Sequence, residues 1–250
     1  MDNLILGENS QLGYFLDGIK VSARNIPYEF ICQNKWNRIY ICFAEQRTFI
    51  DNSDSFMKIN FDLTKEVVDR LYDHCKEFVF YSTAMLWSEN SGEYSLSCLY
   101  NYKETDYLNS KEKITEHLKG IDKVTIHYPC NFNSKQRKGG FLFSSLYDVI
   151  INKKKIQVRC LDFEKEIVHT SYIADRSKNT VVDSILASGY SINVRELFTD
   201  ILNAFDMDIK EYIEETEIDN FVKPNNYYYN IVDKNYSKDK LVSSFIEELK

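Results

Sequence analysis

The chain has 250 residues, 44% of them hydrophobic and 28% charged, and its 31 Lys and Arg against 38 Asp and Glu leave a net charge of −7. That apolar content suffices for one large domain, or for one domain with a small appendage. The acidic balance disfavours nucleic acid as a partner, since neutralising phosphates takes clustered Lys and Arg, and no apolar run approaches the ~20 residues of a membrane helix.

The opening "MDNLILGENS" has no basic segment before its short apolar run, which argues against a secretory leader and makes a cytoplasmic location the expectation. Six cysteines (Cys32, Cys42, Cys75, Cys98, Cys130, Cys160) are scattered without a C-x-x-C pair, so buried reduced thiols are expected rather than a zinc site or disulfides. "NLILG" reads as a short strand, "SQLGYFL" as a short helix and "IKVSAR" as a second strand. "RIYICFA" is a third, continuously apolar as a strand buried on both faces must be. Leu63, Val67, Val68 and Leu71 at helical spacing predict a helix from about Asp62 to Cys75, and "EFVFYS" returns to buried strand. A helix from about Tyr107 to Leu118, the strand "KVTIHYP" and the helix "FLFSSLYDVII" follow. Strands alternating with helices predict an α/β fold with a doubly wound parallel sheet.

After about residue 154 the pieces shorten: the strand "KIQVR" after the basic turn at Lys153–Lys155, a mixed segment "EIVHTSYIADRSKNTVVDSIL", then the helix in "SINVRELFTDILNAF". Val194, Leu197, Phe198 and Ile201 give that helix its apolar stripe, with Ser191 and Asn193 as candidate caps. "FVKPNNYYYNIV" reads as loop and extended chain, its Tyr227–Tyr229 run closing a lobe or forming a dimer contact, and "KLVSSFIEEL" closes the chain as a helix. The expected organisation is a dinucleotide-binding core over 1–154 and a smaller, interleaved substrate-binding lobe over 155–250.

"ILGENSQLG" is the first segment with chemistry. A strand running through glycine into a helix presents backbone N–H groups to a pyrophosphate, here with Gly7 and Gly13 in place and Ser10 at the middle position of G-x-x-G-x-x-G. Ser10 carries a Cβ, so a dinucleotide approaches less closely or takes a hydrogen bond from the serine itself. An ordinary turn with close helix packing explains the two glycines about as well. Arg24, ending the second strand, suits the 2′-phosphate of NADP, although a solvated loop arginine is the plain alternative. Tyr-x-x-x-Lys occurs at Tyr72/Lys76, Tyr107/Lys111 and Tyr236/Lys240. Only Tyr107 follows a buried strand ending in Thr83, and its i,i+4 lysine shares its helical face. An ammonium there lowers the cost of a tyrosinate, and Thr83 could bond the same substrate oxygen.

These segments together resemble the extended short-chain dehydrogenase/reductases acting on nucleotide sugars. The likeness runs through "ILGENSQLGYFL", "YICFAEQRTFIDNS", "VFYSTAMLW", "YLNSKEKITEHL", "HYPCNFNSKQRKGGF" and "SGYSINVRELFTDIL". It is nearest to the branch of nucleotide-sugar reductases like dTDP-4-dehydrorhamnose reductase, in which Thr and Tyr are also 24 positions apart, as Thr83 and Tyr107 are. The resemblance implies Thr83, Tyr107 and Lys111 as catalytic residues and Gly7, Ser10, Gln11, Leu12, Gly13, Arg24, Ala44 and Pro129 as cofactor-binding. It implies Asn131 on the substrate side and Asn60 behind the active site, where a local hydrogen bond or cap is an equal account. The implied cofactor is NADP(H), favoured over NAD(H), with no metal. The implied partner is a nucleotide-sugar substrate, with a homo-oligomer left open. The implied activity is NAD(P)-dependent reduction of a nucleotide-linked 4-keto-6-deoxy sugar in polysaccharide or glycoconjugate synthesis, with epimerisation as runner-up. Dehydration is disfavoured because Ala84 and Met85, not an acid pair, follow Thr83.

Several positions depart from the family's pattern. His127-Tyr128 stand where an arginine is usual, the middle glycine is missing, and the connections around the second strand are short. The chain is about one-sixth shorter than the ~300 residues expected of the family. A non-catalytic dinucleotide or sugar-nucleotide binder is therefore the reading from another class. His127 and His169 lie in apolar runs as core histidines, and Cys130 reads as a small buried filler.

Overall fold

The computed structural model describes residues 2–47, 53–90, 92–136, 141–216, 227–229, 233 and 236–250. The first elements are β1 (Leu4–Leu6), α1 (Gln11–Phe15), β2 (Ile19–Val21), α2 (Tyr28–Cys32) and β3 (Trp36–Ile41). A helical run follows, formed by α3 (Ser53–Phe56), a π-helical stretch (Met57–Leu63) and α4 (Thr64–Leu71), and it leads into β4 (Cys75–Tyr81). Next come β5 (Gly92–Tyr94), α5 (Asp106–Leu118), β6 (Val124–Pro129), β7 (Asn131–Asn133) and α6 (Leu142–Asn152). The last part begins with β8 (Ile156–Val158), β9 (Glu164–Lys165), β10 (Ile167–His169), α7 (Thr170–Asn179) and β11 (Ser184–Leu186). It ends with β12 (Ile192–Asn193), α8 (Val194–Asn203), α9 (Ile209–Tyr212), β13 (Ile213–Glu215), β14 (Tyr227–Tyr229) and α10 (Lys238–Leu249).

Six strands form one sheet in the order β2-β1-β3-β4-β6-β11, every pair parallel. The inner strands β1 and β4 are apolar where both faces are covered: Leu4, Ile5 and Leu6 are fully buried, as are Phe78, Val79 and Phe80 of β4. β1 pairs with β2 on one side and β3 on the other, so the winding reverses between β1 and β3. That switch point is where ligands sit in open α/β sheets. The sixth strand comes from residues 184–186, so the sheet draws on both sides of residue 154.

Three boundaries differ from the sequence expectation. The second strand ends at Val21, because the N–H groups of Gly7 and Glu8 both donate to its carbonyl, and Arg24 lies in a turn with its N–H on Ser22 Oγ. The helix expected at 62–75 begins at Ser53, passes through the π-helical stretch and ends at Leu71, while Cys75 opens β4. Residues 170–179 of the mixed segment are helical, capped by His169. Of the two candidate caps for α8, Asn193 is the one used, its Oδ1 accepting the Glu196 N–H at 3.2 Å. Tyr227–Tyr229 pair in parallel with Gly92–Tyr94, tying the C-terminal part to the loop after β4. Gly139 and Gly140 of "HYPCNFNSKQRKGGF", and much of "FVKPNNYYYNIV", lie outside the described residues.

Candidate active site

The first turn is built by its two glycines. Gly7 has φ +108, a conformation glycine adopts without strain, and its N–H donates to Val21 O at 2.9 Å. A Cβ at Gly13 would stand 2.4 Å from Gly7 O, so α1 packs onto the turn at a distance only glycine permits. Ser10 is the N-cap of α1, its Oγ accepting the Gly13 N–H at 2.9 Å. The Tyr14 N–H goes to Ser10 O. Gln11 and Leu12 carry the remaining first-turn amides, for which a helix has no internal partner. Gln11 is buried, and its Oε1 accepts from Ser134 N–H, Ser134 Oγ and Thr170 Oγ1. Arg24 is exposed beyond the end of β2, and Ala44 is half-buried in the segment following β3.

The expected catalytic residues lie on the turn that follows β4 and on α5, which packs against it. Thr83 caps the short 3-10 turn Ala84–Trp87, its Oγ1 accepting the Met85 N–H at 3.2 Å, and it is 7% exposed. α5 packs against that turn. It starts at the Thr105 cap, whose hydroxyl oxygen accepts the Leu108 N–H, and so sets Tyr107 and Lys111 one turn apart. Tyr107 is 8% exposed and meets Phe56 edge-on. Lys111 is 2% exposed, donates to Tyr81 O at 2.8 Å and lies over the Phe80 ring. Lys111 is thus anchored two residues before Thr83. Burial lowers its pKa to about 7.

A second set of bonds fixes α5, and the sequence reading passed over two of its members. Asn60, in the π-helical stretch, accepts the Glu45 N–H at 2.8 Å and donates to Glu45 O and to Ser110 Oγ. Ser110 Oγ in turn donates to Tyr107 O. π-helical segments concentrate at functional sites. Here the wider turn carries the residue that ties the β3 loop to the helix of Tyr107 and Lys111. Ser110 lies on that same helix, but nothing in the sequence marks Glu45, whose carboxylate takes Arg47 and the N–H groups of Gln46 and Arg47. These bonds hold its pKa below the usual carboxylate value.

Pro129 ends β6 and pairs with Leu186 of β11, and Asn131 opens β7, paired with Ile167. Cys130 between them is buried, which pushes its thiol pKa well up. His127 is fully buried with Nδ1 3.0 Å from Ser184 Oγ, and burial lowers its pKa to about 4. It is a core histidine, and so is His169. Tyr236 is buried with its hydroxyl accepting the His169 N–H, and Tyr72 lies in a 3-10 turn while Lys76 lies in β4. Neither copy matches the single helical face of Tyr107 and Lys111. Among the described residues no cluster suits a metal ion, and no helix is long and apolar enough to cross a membrane.

No protein-family model matches the sequence, and no curated protein matches it significantly. Solved structures do match the fold over nearly its whole length. A UDP-N-acetylglucosamine 4-epimerase from Methanobrevibacter ruminantium M1, in complex with UDP-N-acetylmuramic acid, aligns with a TM-score of 0.81 at 11% identity, covering 99% of this chain and 96% of its own. RMD from Pseudomonas aeruginosa, complexed with NADPH, aligns with a TM-score of 0.77 at 11% identity, covering 100% and 99%. DesIV, a dTDP-glucose 4,6-dehydratase from Streptomyces venezuelae with NAD and TYD bound, gives 0.77 at 14% identity, covering 99% and 96%. The chain therefore has a Rossmann-like α/β fold, shared along its length with nucleotide-sugar enzymes of the extended short-chain dehydrogenase/reductase type. The resemblance read from the sequence holds at the level of the fold.

Proposed function

We propose that the protein is an NAD(P)-dependent oxidoreductase that reduces a nucleotide-linked 4-keto-6-deoxy sugar. The observation that carries this reading is Lys111. A lysine 2% exposed, with its pKa brought to about 7, costs stability that a structural position would not demand. It sits one helical turn from Tyr107, on the helix packed against the Thr83 turn. The first turn supports a dinucleotide in this reading: Gly7 takes a positive φ, Gly13 packs tightly, and Gln11 and Leu12 carry first-turn amides of the kind a pyrophosphate binds. Arg24 beyond β2 supports NADP(H) over NAD(H).

The nicotinamide, when bound, supplies the hydride that adds to the carbonyl carbon. Tyr107 donates its phenolic proton to the carbonyl oxygen, which becomes the product hydroxyl. Lys111 as an ammonium stabilises the resulting tyrosinate, and Thr83 holds the oxygen by a hydrogen bond. Asn131, at the start of β7, faces the substrate side of the site in this reading. Epimerisation is the second reading, supported by the likeness to the epimerase fold. Dehydration has less support, since Ala84 and Met85 offer no acid-base pair after Thr83.

The test begins with titration of the protein with NADPH and NADH, followed by nicotinamide fluorescence. Saturable binding is expected, and keto-sugar nucleotides are then screened for turnover. Tyr107→Phe is expected to abolish turnover while keeping cofactor affinity within about twofold, since one hydroxyl is removed at the reacting oxygen only. Unchanged turnover in that variant would remove Tyr107 from the mechanism. Absence of binding at millimolar cofactor would overturn the oxidoreductase reading and leave a non-catalytic sugar-nucleotide binder.

A further inference from the structure

Gln11 belongs to a closed ring of contacts that joins the first turn to the end of the chain. Its Oε1 accepts the Ser134 N–H at 2.9 Å, and Lys135, the next residue, donates its N–H to Glu248 Oε2 at 2.7 Å. Glu248 Oε2 also lies 3.2 Å from His169 Nε2, and Thr170, next in sequence, returns from its Oγ1 to Gln11 Oε1 at 3.4 Å. The His169 tautomer is set locally: Nδ1 accepts the Ser171 N–H, so Nε2 carries the proton and donates it to the glutamate. Phe15 and Phe245 meet the His169 ring edge-on from α1 and α10, closing the ring from both sides. Gln11, Ser134, His169 and Thr170 are buried, and the Glu248 side chain is 7% exposed.

We infer that Gln11 is a positioning residue. Through this ring it couples a dinucleotide on the first turn to the 131–136 segment that carries Asn131, and to α10. The inference rests on the dinucleotide reading above. Physically, the backbone of Gln11 offers an amide to the anion while its side chain is locked to three donors of other elements. The orientation of the turn and the placement of Ser134 are therefore one variable. The five-residue α1 packs against α7, and its Gln11 side chain adds an anchor to residues distant in sequence. Coupling of this kind is reciprocal: whatever orders the 131–136 segment tightens the cofactor, and the reverse.

Glu248 is the place to test it, because it lies across the ring from the turn. NADPH affinity of the wild type, Glu248→Ala, Glu248→Gln and Gln11→Met is measured by nicotinamide fluorescence. Amide hydrogen exchange at 131–136 is followed with and without NADPH. Glu248→Ala is expected to weaken NADPH about fivefold, Gln11→Met about tenfold. Glu248→Gln, which keeps an acceptor for Lys135 and His169, is expected to restore affinity. Added NADPH is expected to slow exchange of Ser134 and Lys135 in the wild type and in Glu248→Gln only. Equal NADPH affinity and equal exchange protection in all four proteins would overturn the coupling while leaving the dinucleotide reading intact. Failure of the wild type to bind NADPH would overturn both.

Discussion

At the scale of single residues, the burial of Lys111 carries a cost that pH reveals. The folded lysine holds its proton only below about pH 7, whereas the unfolded chain holds it up to about 10.5. Between those values the unfolded state binds more protons, so stability rises with pH across the window. Below pH 7 both states are charged and the burial penalty is present in full. Lys111→Met removes that penalty. At pH 6 the variant is expected to gain roughly 2 kcal/mol, less than the shift alone implies because Tyr81 O loses its donor. The gain is expected to shrink toward zero as pH approaches 10, and turnover is expected to vanish at every pH. Urea unfolding at several pH values reads this directly. A constant difference across pH would mean that Lys111 is not the group being relieved. A stabilised but inactive variant is what a functional lysine in a core predicts.

At the scale of elements, the short α1 shows both what a sequence reveals and what it hides. Gly7 and Gly13 were legible as a strand-turn-helix, and the buried strands β3, β4 and β6 were legible because continuous apolar runs have few other uses. Arg24 was misplaced because Ser22 and Ala23 give no stop signal, the strand being ended by the Gly7 and Glu8 amides. α7 was missed because its buried face mixes Thr170 and Ser177 with Ile173 and Ala174, which blurs the periodicity. Thr83, Tyr107 and Lys111 could be proposed from spacing and resemblance. The Gln11 ring could not, since its partners lie 123 and 159 positions away in sequence. Ser10, too, changes meaning in the structure, as a helix cap whose oxygen is turned to Gly13 N–H. Replacing Ser10 by Gly is expected to cost only a few tenths of a kcal/mol, whereas Ser10→Ala costs about 1 kcal/mol. Glycine also removes the Cβ and frees the Gly13 amide, so Ser10→Gly is expected to bind NADPH about threefold tighter. Ser10→Ala keeps the Cβ and is expected to show no such gain. Equal affinities for the two variants would show that the Cβ does not limit the approach.

At the scale of the molecule, the departure that matters is the number of strands on each side of the switch point. A doubly wound dinucleotide fold has two halves of three strands each, one for each nucleotide. Among the described residues one side holds β1 and β2, against β3, β4, β6 and β11 on the other. β2 has three residues and is the sheet edge, with Ile19 39% exposed. On the proposed dinucleotide reading, the half beneath adenosine is one strand short among the described residues, while the nicotinamide half keeps Thr83 after β4 and Lys111 on α5, its ammonium on Tyr81 O. Cofactor affinity should therefore reside in the nicotinamide mononucleotide and the pyrophosphate, with adenine contributing little. Reduced nicotinamide mononucleotide is expected to bind within about tenfold of NADH, a difference under ~1.4 kcal/mol. NADPH is expected to exceed NADH only through Arg24. An exposed arginine contributes up to about 1 kcal/mol, so the preference is a few-fold, is lost in Arg24→Ala and fades in high salt. Competition titrations of the three nucleotides at two salt concentrations separate the contributions. A mononucleotide a hundredfold weaker than NADH would show that adenosine is held by contacts the two-strand half does not suggest.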